Sequence, residues 1–227
     1  MFQGIRTPRL FLAAFLSFSI VATPCPAGQT AGAVPASPLP RLTYTKTLKG
    51  STPEFLALTV SANGEGTYEG RSLSDPPNPR PLKLSTATTQ RLFELAGELE
   101  NFRGIDLESH RKVANLGMKT LRYEAGGQEN HVQFNYTLNR DAQQLADLFE
   151  KIASVEQHLA TLEFAMKYDH LSLPQELLQI QIDLENRALA DPELLVPTLE
   201  KITQNPRFLH LAQARAQDIL KRLQTTD

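Results

Sequence analysis

Five histidines are the first place to look for chemistry: His110, His131, His158, His170 and His210. A locally built metal site needs donors at short fixed spacings, as in H-E-x-x-H or C-x-x-C, so that one helix or turn aims two of them at one ion. None of the five stands in such a spacing, and the only cysteine is Cys25. No metal ligands and no cofactor are expected. Nucleophilic catalysis and phosphate binding leave other local marks, the G-x-S-x-G elbow and the glycine-rich loop, and neither occurs. Gly64, Gly66 and Gly70 lie in and just after a hairpin turn, the wrong setting for a phosphate. Carboxylate pairs such as Glu98 with Glu100, or Asp183 with Glu185, fall on polar helix faces, where solvent seldom allows shifted acidity. No catalytic residue is expected from these patterns. His158 and His210 read as rim residues of helices, and His131 as a solvated residue at the start of a strand. One stretch is left as the functional candidate. Residues 105–118 are long, charged and without a period, and there Glu108, His110 and Arg111 could bind a partner or a small anion.

The elements that must position this loop follow from hydrophobic periodicity. Residues 42–48 alternate Leu42, Tyr44, Lys46 and Leu48 against three threonines, and 55–61 alternate Leu56, Leu58 and Val60 against Phe55, Ala57 and Thr59. A period of two is that of a half-buried strand. Asn63-Gly64-Glu65-Gly66 makes the turn into a returning strand at Thr67-Tyr68-Glu69. Pro76, Pro77, Pro79 and Pro81 then forbid a central strand, leaving Leu82-Lys83-Leu84 only a brief pairing. Ser85 caps a helix with the stripe Leu92, Leu95, Leu99 and Phe102, and Gly104 ends it. Beyond the candidate loop, Leu121 and Tyr123 turn through Gly126-Gly127 into Val132, Phe134 and Tyr136, a second hairpin.

A long helix follows, capped by Asn139 with Asp141 in its first turn. Leu145, Leu148, Ile152, Val155, Leu159, Leu162 and Met166 recur at alternating steps of three and four, a heptad seam, widened by Phe149 toward a possible sheet. Such a seam suits another helix of the chain or a second copy, so a homo-oligomer through 145–166 is one expectation. Met166 reads as a gap-filler in a core. After it the chain is helical only. Ser172 with Pro174 and Gln175 makes a capping-box pattern, Asp191-Pro192 opens a helix kinked at Pro197, and Pro206 opens a last one. The order strand, hairpin, helix, hairpin, helix predicts an α+β layer. Its sheet would be antiparallel with four or five strands under two helices. An all-α extension would then pack on the long second helix.

The N-terminus bears on compartment. Arg6 and Arg9 precede an apolar run from Leu10 to Ala22, and no acidic residue occurs in the first 27 positions. That is the build of a secretory signal peptide cut after Ala27. The protein is then periplasmic or extracellular, with no transmembrane helix after signal removal. Pro24 stands where lipid attachment at Cys25 would want a small residue, so a lipid anchor is the lesser alternative. Residues 28–41, rich in Pro, Ala and Gly, read as a linker. The expected division is 1–27 signal peptide, 28–41 linker, 42–156 α+β domain and 157–227 helical extension.

The segments Gly50-Ser51-Thr52-Pro53-Glu54-Phe55 and Asn63-Gly64-Glu65-Gly66-Thr67-Tyr68-Glu69-Gly70 resemble an uncharacterised family of bacterial secreted domains. That family opens with G-x-C-P-x-aromatic, turns at Asp/Asn-Gly and closes on Tyr-x-Gly. The resemblance covers residues 42–156 and implies hairpin, helix, hairpin, helix in that order, with no enzyme activity. Thr52 stands where the family has a cysteine, so no thiol role of that position applies. The C-terminal helices are similar to α-solenoid repeats, in too few copies to stand alone.

A 227-residue chain with 41% hydrophobic and 21% charged residues is an ordinary globular composition. The formal charge of −2 has no basic footprint, which excludes nucleic acid as the main partner. Together these features predict an exported, non-catalytic protein-interaction module whose partner is another envelope or secreted protein. The alternatives are an exported inhibitor of an enzyme, or a hydrolase near the loop using His110 or His131 with Glu108.

Overall fold

The computed structural model describes residues 38–225. The expected signal peptide, Cys25 and residues 28–37 of the expected linker lie outside the described residues, as do 226–227. Six strands form one antiparallel sheet, not four or five. They are β1 (Arg41–Thr47), β2 (Phe55–Ser61), β3 (Glu65–Arg71), β4 (Arg80–Lys83), β5 (Met118–Ala125) and β6 (Gln128–Phe134), in the order β4-β3-β2-β1-β5-β6. The added strand is β4, which pairs with β3 along an edge and sets Pro81 opposite Thr67. An edge strand uses only half of its backbone groups for pairing, which is where a proline is tolerated. Gly66 lets β3 close on β2: a Cβ there would fall 1.9 Å from the Thr59 carbonyl oxygen. Both residues of the Gly126-Gly127 turn have positive φ, the conformation that a two-residue hairpin needs. Tyr136 lies just beyond β6.

Helices α1 (Thr86–Glu98) and α2 (Arg140–Tyr168) flank the second hairpin in sequence and share a core with one face of the sheet. Leu42, Tyr44, Leu58, Val60, Leu121 and Phe134 meet Leu92, Leu95, Leu145 and Phe149 there. The opposite sheet face carries Thr43, Thr45, Thr59 and Arg122. Ser85 caps α1 by accepting from the Thr88 N–H, and Asn139 caps α2 by accepting from those of Asp141 and Ala142. Phe149 stacks on Tyr44 of β1 with ring centroids 5.1 Å apart. Beside it Glu150 accepts hydrogen bonds from the Tyr44 hydroxyl (2.8 Å) and the Lys46 ammonium (2.9 Å), which fixes the helix on the sheet. Burial first, and then the charge and hydrogen bond of Glu150, push the Tyr44 phenol pKa far above its ordinary value.

The remaining helices, α3 (Leu173–Glu185), α4 (Val196–Gln204) and α5 (His210–Gln224), build a second core with Val155, Leu162 and Ala165 of α2. The heptad seam is thus divided. Leu145 and Ile152 serve the sheet core, while Val155 and Leu162 serve the helical one. The chain's own elements cover Leu145, Ile152, Val155 and Leu162, so these residues of the seam are turned inward.

Three local readings also change. Ser172 makes no cap bond to α3, because its hydroxyl donates back to the Asp169 carbonyl. Asp191-Pro192 leads into a 3-10 turn, Pro192–Leu195, and α4 begins afterwards with Pro197 in its first turn, where a proline breaks no hydrogen bond. The last helix starts at His210, past Pro206.

The two cores are joined by Leu194, which packs against both. They are also joined by Asp191, whose carboxylate accepts from the Ser85 N–H (2.7 Å), the Ser85 hydroxyl (2.8 Å) and the Thr88 hydroxyl. A negative charge at the start of α1 is favoured by the helix dipole and by the free N–H groups there. Among the described residues no helix is long and apolar enough to cross a membrane.

Candidate functional site

The connection from α1 to β5 has neither strand nor α-helix between Gly104 and Gly117, yet it is fixed at many points. Leu107 turns into the sheet core and anchors it. Asn135, just past the end of β6, then gathers its two arms. The Asn135 N–H donates to the Glu108 carboxylate at 2.6 Å. Its side-chain oxygen accepts from the Leu116 N–H at 2.7 Å, and its side-chain NH2 donates to the Ala114 carbonyl at 2.9 Å. Its own carbonyl accepts from the Lys119 ammonium at 3.2 Å. The N–H, the side-chain oxygen and the side-chain NH2 of one asparagine all hold this loop, and the Ser109 N–H adds a bond to the Tyr136 carbonyl at 2.8 Å. The second arm ends at Gly117, with φ of 96° and Lys46 and Leu48 so near that a Cβ would meet them at 3.1 and 3.3 Å. Only glycine suits that close approach in a left-handed conformation.

Seen against this framework, the three sequence candidates have different situations. Glu108 is turned inward. One of its oxygens holds Asn135 and the other accepts from the Ser109 N–H at 2.9 Å. The Asn135 N–H is the main reason its carboxyl is held below the usual range. His110 is exposed, in a left-handed conformation (φ 53°), with Nε2 2.7 Å from Asp106 Oδ2. That hydrogen bond, then the Asp106 charge, raises the His110 pKa, and the same hydrogen bond, then the Glu108 N–H, lowers that of Asp106. Arg111 is exposed, and among the described residues its guanidinium has no partner. The structure therefore brings Glu108, His110 and Arg111 into one loop but gives them separate tasks. Glu108 supports the loop while His110 and Arg111 face solvent. His131 stands exposed within β6 opposite Arg122, not at the strand's start. Among the described residues no hydrogen bond joins the Glu108 carboxylate to either imidazole.

The outer surface of the loop is mixed apolar and cationic. Val113, Leu116 and Met118 are exposed large apolar side chains, and Arg111 and Lys112 stand exposed among them. Lys119 at its base has its pKa lowered, by burial first and by neighbouring Lys46 second. Sequence reading missed Asn135 altogether, since its partners lie 19 and 27 positions away at Leu116 and Glu108. It also missed an aromatic pair, Phe164 (60% exposed) and Tyr168 (64% exposed), in contact at 5.1 Å on the outer face of α2. Their spacing of four would have revealed a shared face outside the seam.

The described residues form several cavities, of about 170 to 590 Å³. One of about 170 Å³ lies between the β1–β2 connection and α2, lined by Lys46, Ser51, Thr52, Glu150 and Gln157, with both Glu150 oxygens already engaged. Among the described residues no three His, Cys, Asp or Glu side chains are grouped so as to hold a metal ion. Neither protein-family models nor curated protein sequences give a match to this chain.

Proposed function

We propose that the chain is an exported, non-catalytic protein-interaction module, and that it engages another envelope or secreted protein through the loop between α1 and β5. The observation that carries this reading is the loop's combination of fixity and exposure. Asn135 secures both arms, while Val113 and Leu116 stand in solvent beside Arg111 and Lys112. A binding loop loses affinity in proportion to the freedom it must surrender, so a loop already held in one conformation keeps more of its contact energy. Apolar side chains with cations beside them fit a partner that offers an apolar patch next to carboxylates. The same fixity also suits an exported enzyme inhibitor, in which a rigid loop occupies a cleft.

The test compares capture of a partner from the source envelope by three forms of the chain. These are the wild type, a triple variant Arg111→Ser, Lys112→Ser, Leu116→Ser, and a control variant Phe164→Ser, Tyr168→Ser. Exposed substitutions of this kind shift stability by only about 0.5 kcal/mol, so folding should be preserved. Loss of one identified partner in the triple variant alone supports the loop. Undiminished capture there, with loss in the control, moves the interface to the outer face of α2. A captured hydrolase whose activity falls on binding would select the inhibitor form of the reading.

A further inference from the structure

His158 was expected at a helix rim, but it is buried, 8% exposed, between α2 and α3. Its Nδ1 lies 2.6 Å from Glu176 Oε1 and its Nε2 lies 2.9 Å from Asp183 Oδ2. The two carboxylates are seven residues apart on α3, two turns along one face, which is why they bracket one ring. A neutral imidazole has one N–H and one lone pair, so it can donate to one carboxylate while its lone pair opposes the other. Only the imidazolium donates to both. Asp183 is further positioned by the Gln179 amide, which donates to its second oxygen at 3.0 Å.

These two carboxylates are the charges that act on the ring. On α2 itself Glu156 interacts instead with Arg80 and Glu163. On α4 the charged Glu200 and Lys201 are exposed. From α5, Arg215 donates to the Pro174 carbonyl and Arg222 to Glu185, both on α3.

We propose that His158 is a proton-dependent fastening, which clasps α3 to α2 while the ring carries its second proton and loosens α3 when that proton leaves. Burial works against the charged ring, but the hydrogen bonds and charges of Glu176 and Asp183 outweigh it and raise the pKa above the ordinary 6.5. For a histidine raised on folding, the stabilisation is complete below the ordinary value and disappears as pH rises through the folded one. Leu173, Leu177 and Ile180 stay buried without the clasp, so the expected change is local opening of α3 and not loss of the fold.

The experiment is residue-resolved hydrogen exchange on the full chain at about pH 6 and about pH 9, corrected for base catalysis, together with NMR titration of the His158 ring. In the wild type, protection of Leu177 and Ile180 relative to Leu58 should fall about ten-fold between the two conditions. In His158→Gln, a neutral side chain whose donors both sit on one nitrogen, it should be low at both. A wild-type ratio that does not change with pH overturns the proposal, as does a ring that titrates at or below 6.5. Both of these readings come from the wild type and stand even if the variant does not fold.

Discussion

Replacing Asn135 by alanine removes the acceptor of the Leu116 N–H and the donor to the Ala114 carbonyl, and leaves the backbone bonds to Glu108 and Lys119 in place. Each lost bond joins neutral groups near solvent, worth about 0.5–1.5 kcal/mol, so the pair contributes about 2 kcal/mol. At 1.4 kcal/mol per factor of ten, opening of the second arm should become about thirty-fold more frequent. The direct assay is exchange of the Leu116 amide, with the amides of β1 as an internal reference. Asn135→Asp separates the two bonds, because it keeps the acceptor for Leu116 but loses the donor to Ala114. It should therefore leave the Leu116 amide better protected than alanine does. If the loop is the binding surface, partner affinity should fall along the same series, alanine below aspartate below wild type. Unchanged Leu116 exchange in Asn135→Ala would refute the assignment of Asn135 as the hub. Equal capture by all three forms would show that the order it imposes is not used in binding.

Asp191 and the divided seam offer two further tests. Asp191→Ala should destabilise the fold by about 2–3 kcal/mol by chemical denaturation, since three donors at the start of α1 lose a charged acceptor. Asp191→Gly should cost about 1 kcal/mol less, because residue 191 has a φ of 55° and glycine adopts it freely; equal losses would mean that the backbone there relaxes. Leu162→Ala removes a fully buried side chain of the helical core and should cost about 3 kcal/mol. Leu159→Ala, only half-buried against the same core, should cost less than half of that, and comparable losses would mean that both sit equally deep.

The sheet and both helices over it were legible because their signals are local. The strand Phe55–Ser61 follows directly from its period of two, and Ser85 and Asn139 cap through N–H groups two or three residues ahead. The candidate loop was legible for the opposite reason, as a stretch with no period in a chain otherwise well patterned. What escaped were contacts across the fold. Asp191 reads as the opening of a local helix, yet its carboxylate completes the cap of α1 from 106 positions away. His158 reads as a polar residue beside an apolar stripe, and nothing near it in sequence announces the carboxylates on α3. Ser172-Pro174-Gln175 satisfies the capping pattern, but Ser172 is itself helical in conformation, so its hydroxyl reaches back to Asp169.

The heptad seam meets two kinds of neighbour for a reason that its flanking residues make plain. Spacing at three and four says only that one side of a helix is apolar, and the width of that side says what lies against it. In the first half of α2 the buried set includes Ala142, Ala146, Phe149 and Ala153 besides Leu145 and Ile152, a broad face with small residues that let the helix lie close on a sheet. In the second half the flanking buried positions are Glu156, His158 and Ala165, so the apolar ridge is narrower and has polar residues on its shoulders. A ridge of that width packs against helices, and its histidine meets the matching carboxylates of α3. One long helix can thus serve two cores of different kinds because the stripe changes width between Ala153 and Val155, at the point where the sheet core gives way to the helical one.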